Sequence, residues 1–435
     1  MITMRDFQVI GIFCVFLATS FSCKTANQTL GALKVKRTLK TSPIFSNQFT
    51  GFYLLDPTTG EVLLKQNEAL HFTPASNTKI LTTLACLTHL KDSLPFGSTY
   101  LMPDSTVCIQ PFGDPTFLHQ DFPEQPVIRK LAQAPHLSVA LPDRILEPFG
   151  PGWAWDDYQY SFQSERCWMP IYGNEVRIYS TDTLHIVPSF FNHYVNRYVG
   201  ERPGSLVYRD LHYNLFNIWM EYDTSTFERK IPFAWSEELL HTLLADTLHI
   251  TISSSTDAPS HNADTLYNQA TLPTLALMMQ RSDNFLAEQL LITTARSRGY
   301  TNISAFSKAL IEIWNLPDDI RWVDGSGLSR YNLMTPRVMA VLLQKILNHS
   351  DKASIKYIFP NGGVSGTIKH WYDADQPYVF AKTGTLSNNH CLSGYIQTRS
   401  GRWLIFSIMN NNYTHPVTDV KLEMEKLLET IRDRY

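Results

Sequence analysis

The chain has 435 residues, 44% hydrophobic and 18% charged. That core-forming mixture excludes a disordered, collagen-like or small disulfide-stapled chain, and the length suits a large two-part protein. The 37 Lys and Arg against 40 Asp and Glu give a net charge of -3, which argues against nucleic acid as a main partner.

The first 23 residues read as an export signal. Arg5 precedes an apolar run over Phe7–Ser22, too short for a membrane span and long enough for a signal core. The run closes on Ser20-Phe21-Ser22-Cys23, similar to a loose bacterial lipobox in which Cys23 becomes an acylated N-terminus. Plain secretion and an uncleaved N-terminal anchor are the other readings, and all place the chain in the bacterial periplasm or cell envelope. No later stretch reaches ~18 apolar residues. Residues 24–45 are polar and read as a tether.

From Phe49 the pattern becomes regular. Phe52–Leu55, the turn Asp56-Pro57-Thr58-Thr59-Gly60 and Val62–Leu64 predict a hairpin. Ile80, Leu84 and Leu87 fall at helical spacing behind Pro74-Ala75-Ser76. Residues 100–266 are richer in aromatics and short strand-like runs, and read as an inserted, mostly β region. Helical spacing returns at Leu272–Gln280, Phe285–Arg296, Ile303–Trp314 and Pro336–Leu347. A strand-like Tyr378–Ala381, a hairpin over Leu392–Gln397 and Trp403–Met409, and a helix over Val417–Arg434 complete the chain. Residues 46–99 and 267–435 thus predict one α/β body split by the insertion.

Six cysteines are present. Cys14 and Cys23 belong to the signal, and Cys86 and Cys391 sit in apolar runs and are expected in the core. An oxidising compartment would permit a Cys108–Cys167 bridge. No CxxC spacing or nearby His pair occurs, so zinc is not expected, and the serine chemistry read below implies no metal or organic cofactor.

Three short motifs carry chemistry. In Ser76-Asn77-Thr78-Lys79 the serine and lysine are three apart, on one helix face. A serine hydroxyl is a weak nucleophile until a base takes its proton, and a lysine serves if its pKa is lowered. In Ser282-Asp283-Asn284 the two polar side chains reach one cleft only from a turn before a helix. Ser282 would relay a proton, and Asn284 would bond a substrate carbonyl and Lys79. Ser387-Asn388-Asn389 also matches, past a strand and without helical context. Lys382-Thr383-Gly384-Thr385 follows a strand; such an edge can dock an extended peptide, with Lys382 and Thr383 on its carboxylate and Gly384 allowing close approach. The Thr385 and Ser76 backbone N–H groups would receive an oxyanion.

The order SxxK, SxN, KTG, each in its required local structure, resembles a class C low-molecular-mass penicillin-binding protein of the D-Ala-D-Ala carboxypeptidase/endopeptidase family, serine peptidase family S13. The long gap before SxN resembles the class C insertion. Gly113-Asp114-Pro115-Thr116, Trp153-Ala154-Trp155-Asp156-Asp157, Asp324–Arg330 (DGSGLSR), Asn332, Thr335-Pro336, Gly366-Thr367-Ile368 and Leu392-Ser393-Gly394-Tyr395 are similar to further family segments. The resemblance implies an α/β fold, with a penicillin-binding transpeptidase/β-lactamase-like domain, antiparallel sheet flanked by helices, split by the insertion. It also implies a side-chain pocket formed by Asp157 and Phe162, with Arg330 nearby. An Asp facing an ammonium and an Arg facing a carboxylate suit a diamino acid. Where some members carry Gln, two residues after the KTG[ST] Thr, this chain has Ser387.

The expectation is an exported serine D-Ala-D-Ala carboxypeptidase/DD-endopeptidase acting on peptidoglycan stem peptides through a Ser76 acyl-enzyme, and trapped by β-lactams. Lys79, kept neutral by burial and by Lys382, would be the base. One competing reading is a β-lactamase-type hydrolase, although no class A general-base Glu motif is evident. The other is a non-catalytic peptidoglycan-binding lipoprotein or β-lactam sensor, against which the three intact motifs speak.

Overall fold

The computed structural model describes residues 29–102, 104–181, 183–200, 207–220, 226–255 and 263–435. The expected signal and Cys23 lie outside the described residues. The chain divides into two compact units. One holds the chain up to Pro74 with Met334–Gln344 and Phe359–Tyr435; the other holds Ala75–Leu333 with Lys345–Ile358.

The first unit is built on a five-stranded sheet. Its strand order is Val379–Leu386, Asn389–Gln397, Trp403–Asn411, Phe49–Leu55, Val62–Gln66, and every neighbouring pair is antiparallel. Trp403–Asn411 lies mid-sheet and is buried along its whole length. Cover on both faces is why it reads as a nearly continuous apolar run rather than an alternation. Phe52, Leu54, Leu404 and Phe406 pack with Met424, Leu428 and Ile431 of the Val417–Arg434 helix in one core. Ser387-Asn388 is the hairpin turn after Val379–Leu386, with Asn388 at φ 67, so that second SxN match is a turn.

Residues 29–41 are helical instead of forming the polar tether expected at 24–45. Gly31, Val35 and Leu39 recur every fourth position, which is one helix face. Val35 and Leu39 are 1% and 3% exposed within the same core. Tertiary burial of that stripe stabilises a helix that composition alone would not support.

The second unit carries the expected helices as Lys79–His89, Thr271–Arg281, Asn284–Ser297 and Ile303–Trp314. Among the described residues it also holds a five-stranded sheet and two three-stranded sheets. The expected insertion limits at 100 and 266 fall inside strands. Ser93–Leu101 and Asp264–Ala270 pair antiparallel, so the chain leaves and returns side by side and the boundary cuts both. Buried Asp114 ties the two ends: it accepts from Thr116 N (2.9 Å), Thr116 Oγ1 (2.7 Å) and Asn268 Nδ2 (3.0 Å).

Cys86, Cys108, Cys167 and Cys391 are buried free thiols. No Cys108–Cys167 bridge forms; Cys167 Sγ instead accepts from Asn174 Nδ2 at 3.1 Å, and burial pushes its thiol pKa up. No described helix is long and apolar enough to cross a membrane. Because Leu39 belongs to the core, Leu39→Ala should cost ~2–5 kcal/mol in urea unfolding. Unchanged stability would show that the helix is dispensable.

Candidate active site

Ser76 lies on the tight turn Ala75–Thr78, which runs directly into the Lys79–His89 helix. Ala75 is fully buried and held at φ 49, a conformation that costs a non-glycine residue about 1 kcal/mol or more. The turn is pinned by Thr78 Oγ1 donating to Ala75 O at 2.9 Å. The three-residue spacing brings Lys79 Nζ to 3.0 Å from Ser76 Oγ.

Lys79 is fully buried, and its amine also reaches Asn284 Oδ1 (2.6 Å) and Ser326 O (2.7 Å). A charged lysine has three N–H donors, one for each of these oxygens. A neutral one has two N–H donors and a lone pair. Asn284 Oδ1 and Ser326 O can only accept from it, so they take the two N–H bonds and the lone pair faces the Ser76 hydroxyl. Desolvation lowers the Lys79 pKa from 10.5 to about 8, while the carboxylates of Asp283, Asp324 and Glu288 act in the opposite direction.

The Thr271–Arg281 helix ends with Ser282 in the left-handed region, φ 60, and Asp283 caps the next helix by accepting from Leu286 N at 2.9 Å. The N-cap is therefore Asp283, and Ser282 sits in the turn before it. Asn284 then bridges two sides, since its Nδ2 donates to Phe162 O at 2.9 Å. Phe162 is 43% exposed and stacks on Tyr160 with ring centres 5.4 Å apart.

The DGSGLSR loop backs both motifs. Asp324 accepts from Gly327 N (2.9 Å), Asn332 Nδ2 (2.7 Å), Ser329 N (2.7 Å) and Trp153 Nε1 (2.9 Å). Gly325 lies against the Ala287–Glu288 backbone, and its carbonyl accepts from Thr82 Oγ1 at 2.7 Å. Gly327, at φ 83, is so close to the Ser76 turn that a Cβ there would lie 1.9 Å from Ala75 O. Ser329 Oγ donates to Pro151 O at 2.6 Å, and Tyr331 lies against Gly152. The residues flanking exposed Arg330 thus touch the segment leading to Asp157. Asp157 is half-buried on the turn Trp155–Gln159, and burial, then Asp156, raises its pKa.

Lys382, Thr383, Gly384 and Thr385 lie on Val379–Leu386, the outermost strand of the first unit's sheet. Thr383 Oγ1 donates to Thr367 Oγ1 at 2.7 Å, which ties the Gly366-Thr367-Ile368 segment to this strand. Thr385 Oγ1 lies 2.8 Å from His390 Nδ1. Burial, then Lys421 and Lys382, pushes the His390 pKa down to about 3, so this ring is neutral.

The sequence reading did not single out Ser326 O, Glu288 or a polar cavity of about 210 Å³ beside the SxN turn. His119, Asp121, Glu175, Lys230, Arg281 and Ser282 are among its lining residues. Arg281 pairs with Asp121 at 2.6 Å. Burial, then Asp283, raises the Glu175 pKa to about 8. Among the described residues no group of three or more His, Cys, Asp or Glu is arranged to hold a metal.

The fold is that of the penicillin-binding proteins. Penicillin binding protein 4 (dacB) from Haemophilus influenzae superposes with a TM-score of 0.73 at 18% identity, covering 92% of this chain and 99% of that one. The same protein complexed with a β-lactam gives 0.64 at 18% identity, covering 92% and 97%. Residues 32–178 and 247–431 match the D-Ala-D-Ala carboxypeptidase 3 (S13) family, and the chain belongs to that family. It is 30% identical over 172 residues to D-alanyl-D-alanine carboxypeptidase DacB of Haemophilus influenzae, covering 37% of this chain and 36% of that protein. It is also 30% identical over 151 residues to carboxypeptidase DacB of Mycolicibacterium smegmatis, covering 32% and 33%. These alignments span about a third of each relative's length.

The contact between Gly327 and the Ser76 turn gives a direct test. Gly327→Ala should displace that turn and slow acylation by a chromogenic penicillin at least ~10-fold, more than the same change at exposed Gly401. Equal rates in the two variants would contradict the packing.

Proposed function

We propose that the chain is an exported serine D-Ala-D-Ala carboxypeptidase and DD-endopeptidase that acts on peptidoglycan stem peptides and is acylated by β-lactams. One observation carries this reading: the buried Lys79 amine lies 3.0 Å from Ser76 Oγ, with its other contacts on oxygens that only accept. That is the geometry of a nucleophile and its base.

Lys79 takes the Ser76 proton, and Ser76 Oγ attacks the penultimate D-Ala carbonyl. The backbone N–H groups of Ser76 and Thr385 receive the oxyanion, as the family pattern assigns. Lys382 and Thr383 hold the substrate's terminal carboxylate, and Gly384 keeps the strand clear for it. The proton passes through Ser282 to the leaving amine, which belongs to free D-Ala or to the D-centre of a cross-linked stem. Water then hydrolyses the ester and restores Ser76. Asn284 orients the substrate carbonyl and Lys79. Asp157, Phe162 and Arg330 contact the third stem residue, for which a diamino acid suits the two charges.

Acylation of Ser76 by a β-lactam follows the same first step and leaves a slowly hydrolysed ester; the Haemophilus influenzae protein is known in complex with such a compound. The reading places the enzyme in the bacterial envelope, with attachment through an acylated Cys23.

A fluorescent penicillin should label the wild-type chain and leave Ser76→Ala unlabelled. Lys79→Ala should slow labelling by ~100-fold or more. Labelling of Ser76→Ala at the wild-type rate would refute the assignment. Only the neutral amine accepts a proton, so the acylation rate should climb as pH rises through about 8 and then level off. A rate that stays flat over roughly two pH units on either side of that midpoint would exclude Lys79 as the base. Mass spectrometry of products from a defined muropeptide mixture would separate D-Ala release from cross-link cleavage.

A further inference from the structure

Glu288 has no role in the mechanism above, yet one residue connects it to the proton-transfer site. It lies four residues after Asn284, on the same face of the Asn284–Ser297 helix. It is 3% exposed. Its Oε1 accepts from Ser326 N at 2.7 Å, and the carbonyl of that same Ser326 accepts from Lys79 Nζ at 2.7 Å. Its Oε2 faces Arg166 Nη1 at 3.6 Å. Arg166 is itself fixed: its Nη2 donates to the carbonyls of Glu147 and Phe149 at 3.0 Å each, and its guanidinium lies 5.4 Å from the Trp153 ring centre.

The two peptide planes flanking Ser326 are held separately. Gly327 N donates to Asp324 Oδ1 at 2.9 Å. Because that peptide is planar and trans, the Ser326 carbonyl points the opposite way, onto Lys79. The preceding plane is held at both ends, its Gly325 carbonyl by Thr82 Oγ1 at 2.7 Å and its Ser326 N–H by Glu288. A buried carboxylate is costly to maintain when an apolar residue would fill the same helix position. Here the carboxylate supplies the acceptor that an apolar residue lacks.

We propose that Glu288 is a positioning residue for the proton-transfer step: by holding the Ser326 N–H it keeps the Ser326 carbonyl on the Lys79 amine, so that the amine's lone pair stays turned to Ser76. This rests on the reading of Ser76 and Lys79 as nucleophile and base. Charge adds a second consequence. Lys79 faces Asp283 from the SxN turn, Asp324 from the loop and Glu288 from the helix, while Glu288 faces Asp324 and Arg166. Burial, then Asp324, raises the Glu288 pKa, while Arg166 and hydrogen bonding to Ser326 favour the carboxylate; where it is ionised, removing its charge leaves the Lys79 ammonium with two carboxylates instead of three, so the amine loses its proton at lower pH.

The test is single-turnover acylation by a chromogenic penicillin, expressed per labelled site and followed across pH, in wild type, Glu288→Gln and Glu288→Ala. Glutamine can still accept from the Ser326 N–H. Its plateau rate should stay within about threefold of wild type, with the rising limb moved to lower pH. Alanine removes the acceptor, and its plateau should fall about 10- to 100-fold. A structural role alone would lower the labelled fraction and leave the per-site rate and the limb unmoved. An alanine plateau equal to wild type overturns the proposal, and so does a glutamine plateau as low as the alanine one, since glutamine keeps the acceptor. If Glu288→Ala does not fold, Glu288→Leu, which fills the site without an acceptor, takes its place in the comparison. A wild-type chain that takes no label brings down both the proposal and the reading beneath it; a labelled wild type with insensitive Glu288 variants brings down the proposal alone.

Discussion

A lysine amine with no access to water must satisfy every hydrogen it carries, and the second unit is arranged around that requirement. Burial drives Lys79 toward the neutral form, and the oxygens around it decide where its lone pair points. Two of those oxygens cannot donate, so only the Ser76 hydroxyl can give the amine a proton. The three carboxylates that face Lys79 oppose the effect of burial, and the balance leaves its pKa at about 8. A base poised near the working pH combines adequate occupancy of the neutral form with useful proton affinity.

Each oxygen comes from a different stretch of chain, so the arrangement depends on how those stretches are held. The Ala75–Thr78 turn supplies Ser76, the turn between two helices supplies Asn284, and the DGSGLSR loop supplies the Ser326 carbonyl. Asp324 organises the loop through four hydrogen bonds, and the small size of Gly325 and Gly327 lets it lie against both other segments. The Asn284–Ser297 helix adds Gln289, which accepts from Cys167 N at 3.1 Å and donates to Cys167 O at 2.9 Å. The segment carrying Asp157 and Phe162 is therefore anchored to the helix that carries Asn284. The proposed chemistry and the proposed side-chain pocket thus share one support.

Local pattern made much of this legible. The Ser76–Lys79 spacing, the helix boundary at Ser282–Asn284 and the strand before Lys382 are short-range features, and each appears where the sequence places it. A main-chain carbonyl leaves no trace in side-chain identity, so Ser326 O was out of reach. Glu288 and Gln289 did leave a signal: two polar residues inside a helix that is buried almost throughout. The helix at 29–41 was missed because its apolar stripe is narrow and its stability comes from the core it covers. The insertion limits were misplaced because Ser93–Leu101 and Asp264–Ala270 become strands only by pairing with each other across a long sequence gap.

The central claim is the ionisation of one amine, and it can be observed directly. Heteronuclear NMR of lysine-labelled protein, with the Lys79 resonance identified by its loss in Lys79→Arg, gives the titration midpoint without reference to turnover. A midpoint near 8 is expected. A midpoint at the ordinary lysine value of 10.5 would mean that the amine stays charged at neutral pH and is not the base.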